Sequence, residues 1–138
     1  EPLLSDATAR EGLALWQRSE DMAPGHVVSV VSYGPALLDD RPEVGERLAT
    51  ALLRGVRRFR RGKTPENLAA AVEFTGLSRE QVSRSCWPRT GEDARVDYAT
   101  FRDYQEWAVS QGLMDRILEE DEVIEHRFMD AAGAELAR

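Results

Sequence analysis

The segment HVVSVVSYGP, residues 26–35, decides how the rest of the chain is read. Val27, Val28, Val30, Val31 and Tyr33 are β-branched or aromatic with only serines between them, the pattern of a strand covered on both faces, as in a parallel sheet. Such a strand needs a hydrogen-bonded neighbour on each edge, because each buried backbone group denied a partner costs roughly 1–3 kcal/mol. Its neighbours have to be found elsewhere in the sequence, or outside it.

Few are found. Upstream, EPLLSDATAREG (1–12) reads as a short helix with Ser5 or Asp6 as N-cap and Gly12 as its stop. LALWQRS (13–19) reads as a short strand, and a polar link through Asp21, Pro24 and Gly25 leads to the valines. Past Gly34 and Pro35, every segment with a clear period has that of a helix. A long helix is predicted over 42–62, opened by Pro42 and Glu43, with Leu48, Leu52, Val56 and Phe59 as its apolar stripe. Thr64 caps the next helix and Gly76 ends it. Ser78 and Gln81 form a capping box with Leu77 and Val82 as a hydrophobic staple. Asp97 caps a helix running through Trp107 to Gly112, with Val96 and Phe101 as its staple, and a last helix spans 126–137 with Phe128, Ala132 and Leu136 on one side. The tally is one or two strands followed by four or five helices.

Composition bounds the function. A chain of 138 residues with 42% hydrophobic content suits one core. Its 25 acidic against 18 basic side chains give a net charge of −7, which argues against a general attraction to nucleic acid or to an anionic membrane. Cys86 is the one cysteine, so no disulfide forms within the chain. No apolar run nears the ~20 residues that span a bilayer, and no signal-peptide pattern opens the sequence. Glu1 in place of an initiator methionine leaves the leader, and the compartment with it, open.

Several clusters invite chemistry. The basic run RGVRRFRRGK (54–63) places Arg54, Arg57, Arg58 and Arg61 opposite the apolar stripe, as the solvated back of a core helix, with a partner-docking surface as the functional alternative. Glu122 and His126 stand one helical turn apart, near Asp121 and Glu125, but two ligands do not make a metal site. Cys86 lacks a recognisable base, and no phosphate loop or nucleophile elbow is present. Tyr98, Phe101, Tyr104 and Trp107 share one helix, where such spacing more often builds a core than a ligand cage.

Read in order, these segments resemble the C-terminal part of the periplasmic solute-binding proteins of ABC importers. The superfamily is the type II periplasmic-binding-protein group that includes alkanesulfonate, taurine and nitrate binders and the thiamine-pyrimidine precursor proteins. The matching stretches are the Glu1-Pro2 start, the strand over 27–32, RPE (41–43), GKTPENLAAA (62–71), TGLS (75–78) and CWP (86–88). The helix over 101–107, QGL (111–113) and FMDAA (128–132) continue the match. One departure is a turn glycine displaced to Gly91.

The resemblance implies an α/β fold: residues 1–34 as the end of a second lobe and a hinge strand, residues 35–138 as helices packing on the first lobe. The N-terminal half of the family fold is absent, so the chain is expected to be a fragment whose missing strands would flank the valines. The implied function is capture of a small organic solute by lobe closure, with no catalysis, no cofactor and no metal. Implied partners are the solute and a membrane-embedded ABC permease, with no nucleic acid, and a homodimer through the exposed strand edge. The implied location is periplasmic or extracellular, with a lipid anchor compatible. Glu1, Ser32 and Tyr33 are the expected ligand-binding residues. The alternative is a helical protein-interaction module whose arginine face docks on a partner; a precursor-synthesis enzyme is a third option.

Overall fold

The computed structural model describes residues 3–8, 13–25 and 29–138. In chain order these form α1 (Leu3–Thr8), α2 (Ser19–Met22), a π-helical turn (Ala36–Asp40), α3 (Pro42–Phe59), α4 (Pro65–Thr75), α5 (Arg79–Arg84), α6 (Tyr98–Ser110), α7 (Glu120–Val123) and α8 (Arg127–Glu135). No strand occurs among the described residues, so the α/β expectation is overturned and the architecture is helical.

The described part of that stretch, 29–34, is not a strand, for a physical reason. Val27 and Val28 lie outside the described residues; over 29–34 the chain is irregular, and Val30 and Val31 are each more than half exposed. A taste for β structure in valine reflects its fit to a pleated, half-buried surface, and no other described segment supplies that surface. Residues 13–18 are likewise irregular, and α2 begins at Ser19. With no strand among the described residues, the expected homodimer has no described strand edge to form through. At the start, α1 is already helical at Leu3, so Ser5 lies inside it rather than at its cap.

The core is made where α3 meets α8. Ala49, Leu53, Phe128, Met129 and Ala132 are buried together, and Tyr33, Leu38, Ala94 and Leu136 pack around them. The buried face of α3 is Gly45, Ala49, Thr50 and Leu53, one position away from the stripe expected from the large apolar residues, and Leu48 is 43% exposed. Close approach explains the rotation. The Phe128 ring lies directly over Gly45, where a Cβ atom would sit 2.5 Å from Phe128 Cζ. Only the small residues of α3 admit that ring, so the helix turns them inward and leaves Leu52, Val56 and Phe59 on the flank. Tyr33 meets Phe128 edge-on with ring centroids 5.0 Å apart.

Local grammar sets the remaining elements. Thr64 Oγ1 accepts the backbone N–H of Asn67, and Gly76 ends α4 in the left-handed region at φ +69°. Ser78 and Gln81 cap α5 reciprocally, and Asp97 accepts the Ala99 N–H to start α6. The aromatic helix buries a different face from the one expected: Gln105 and Ala108 are inside, while Tyr104 and Trp107 are about half exposed. No described helix is long and apolar enough to cross a membrane.

A candidate arginine docking surface

The C-terminal half of α3 and the start of α4 make the corner on which the site is built. Asn67, nearly buried, donates both protons of its side-chain amide to carbonyls at the end of α3, Arg58 O at 2.9 Å and Gly62 O at 2.7 Å. Arg58 O also accepts the Arg61 N–H and Gly62 O the Thr64 N–H, so the amide adds a second donor to each carbonyl. One amide therefore ties α4 to the end of α3 and sets the angle between them. A second tie is Lys63 Nζ, which donates to Ser83 O, and a third is Trp87, which stacks on Phe59 at 4.4 Å and donates its indole N–H to Phe59 O.

On the outside of this corner, Arg54, Arg57, Arg58, Arg61, Thr64 and Glu66 line an open depression of about 420 Å³. The four guanidiniums are not equivalent. Arg54 pairs with Glu135 at 3.0 Å, and Arg57 donates to Leu136 O at 3.4 Å, so both are anchored to α8. Arg58 and Arg61 are exposed and make no hydrogen bond or ion pair through their side chains with any described residue. Their charges act on Glu66. Its carboxyl is held below the ordinary carboxylate range by its own backbone N–H and the Thr64 hydroxyl, with further help from the Arg58 and Arg61 charges.

The residues expected to bind a ligand are placed elsewhere. Glu1 lies outside the described residues. Ser32 is exposed, whereas Tyr33 is turned into the rim of the core against Phe128; burial raises the pKa of its phenol, and the Glu125 charge raises it further. Neither lines the depression. Glu122 and His126 do not converge: Glu122 makes a two-pronged bond with Arg116 at 2.6 and 2.8 Å, and His126 Nε2 faces Glu120 at 3.1 Å. Among the described residues, no three His, Cys, Asp or Glu side chains gather as a metal site. Cys86 is exposed and unpaired as a thiol.

Sequence reasoning found the arginines and missed Asn67 and Gln105, the two amides that matter to surface geometry. Gln105 left a trace, since it falls between Phe101 and Ala108 on the inward register of α6. Asn67 left none, because its place three residues after Thr64 looks like ordinary first-turn polarity. No family model, curated protein or solved structure matches the chain.

Proposed function

We propose that this chain is a non-catalytic helical interaction module whose arginine surface on α3 and α4 takes an acidic segment of a protein partner. The observation that carries the reading is the pair Arg58 and Arg61: two exposed guanidiniums without hydrogen-bonded partners, side by side with two anchored ones around an open depression. Guanidinium forks match carboxylates in a two-pronged geometry that lysine cannot reproduce. The solute-capture reading rests on a resemblance that implies two α/β lobes, and the described residues form helices with no strand to build them.

A carboxylate partner is preferred to a nucleic acid for an electrostatic reason. Screening limits the field of an exposed charge to about 8 Å at physiological salt, so a short acidic segment meets the local arginines and little else. A long polyanion would extend over the acidic remainder of a chain of net charge −7 and be repelled there.

The test is fluorescence anisotropy of a labelled glutamate-rich peptide. Binding is expected to weaken with salt, to fall at least about tenfold in Arg58→Glu/Arg61→Glu, and to exceed binding of single-stranded RNA of equal length. Equal binding by the double variant overturns the assignment of the surface, and tighter RNA binding overturns the assignment of the partner.

A further inference from the structure

We infer that the occupant of the arginine surface is the acidic turn around α7 of a second copy of this chain, the two copies exchanging this contact reciprocally. The inference rests on the docking reading above and names its partner. Charge is the first support. Residues 54–63 hold six basic side chains and no acid, whereas residues 115–125 hold six acids and one arginine, so one chain carries both halves of a complementary pair. Two such patches on each copy satisfy a two-fold axis, because each copy's basic surface can take the other's acidic one.

The second support is that both surfaces are held in place from beneath by a buried amide. Asn67 does this under the arginines. Under the acidic turn, Gln105 is 1% exposed and clamps the backbone of Leu118 from both sides: it accepts the Leu118 N–H at 2.8 Å and donates to Leu118 O at 3.2 Å. Tyr98 adds its hydroxyl to the same carbonyl at 2.7 Å. Arg116 then braces the far side of the turn through Glu122. Glu120 and Glu125 are engaged by His126 and Arg127, but Asp115 and Asp121 are exposed and make no ion pair among the described residues. A surface fixed before docking loses less conformational freedom on docking, so both patches are prepared for contact.

Sedimentation velocity of the full chain tests this. A dimer is expected at the lower salt, about 0.15 M, where a screening length of about 8 Å confines the field to the touching patches and mutes the repulsion between two copies of net charge −7. It should dissociate towards about 1 M, where that length drops to about 3 Å. Arg58→Glu/Arg61→Glu and Asp115→Lys/Asp121→Lys are each expected to be monomeric under the low-salt condition. Mixing the two variants restores a dimer of mixed composition, since each then supplies the charge the other lacks. A monomeric wild type at low salt, or a dimer indifferent to salt and to both variants, overturns the inference. A monomeric wild type that still binds the glutamate-rich peptide through Arg58 and Arg61 removes self-association alone; loss of peptide binding as well removes the docking reading beneath it. Should either variant lose its helical circular dichroism, displacement of the wild-type dimer by excess peptide decides in its place.

Discussion

Gly45 and Gly55 lie on the same helix and make opposite predictions. A methyl group at Gly45 meets the fully buried Phe128 ring at 2.5–3.0 Å, whereas one at Gly55 meets nothing within 4 Å. Alanine is worth about 1 kcal/mol over glycine in a helix interior. Gly55→Ala is therefore expected to raise stability by up to that amount, measured by urea unfolding. At Gly45 overpacking costs about 1–3 kcal/mol and outweighs the same gain, so Gly45→Ala is expected to destabilise. Equal effects at the two sites would contradict the close approach of α3 and α8. Glu122 gives a second residue-scale prediction, in pH. Its bond to Arg116, aided by the Glu119 N–H, brings its pKa down from 4.5 to about 2. A depressed carboxyl contributes stability that is complete above the unfolded value and lost as pH falls through the folded one, so the loss runs from about pH 4.5 to about pH 2. Glu122→Gln should flatten the acid limb of the unfolding profile in that window and leave the alkaline side unchanged.

Helices and caps were legible in the sequence because the information is local. Thr64, Gly76, Ser78 with Gln81, and Asp97 each act within one turn, and the structure finds them at the ends where the residue order puts them. The irregular chain over 29–34 was not legible as such, because a strand exists only through a neighbour, and no valine signals whether that neighbour is present. The inward face of α3 was misread for a related reason: the large residues Leu48 and Leu52 suggested the core, but a bulky partner, Phe128, required the small face of Gly45 and Ala49. The arginine surface was visible as composition, and its geometry was not, because that depends on Asn67 reaching back from α4. Asn67→Ala leaves the carbonyls of Arg58 and Gly62 without that donor. The expected cost is about 1–3 kcal/mol, and peptide affinity should fall even though every arginine is retained. Unchanged stability together with unchanged affinity would show that the corner is held by other contacts.

At the scale of the whole molecule, burial is concentrated in few places. Residues 13–25 and 29–32 contribute no buried side chain, and Trp16 is 90% exposed. Phe128 is fully buried. Phe128→Ala is expected to cost about 3–5 kcal/mol, while Trp16→Ala should stay within about 0.5 kcal/mol. That contrast is checked by thermal unfolding followed at a helical wavelength. Charge is segregated as well: a basic corner held by Asn67 and an acidic turn held by Gln105. In the proposed function, Arg58 and Arg61 take the carboxylates of a partner. The most direct test of this is a nuclear magnetic resonance titration of the arginine side-chain Nε–Hε groups with the glutamate-rich peptide. Saturable shifts at Arg58 and Arg61, larger than at Arg60, which donates to Thr90 O, are the expected result. Unmoved Arg58 and Arg61 signals at saturating peptide would contradict it.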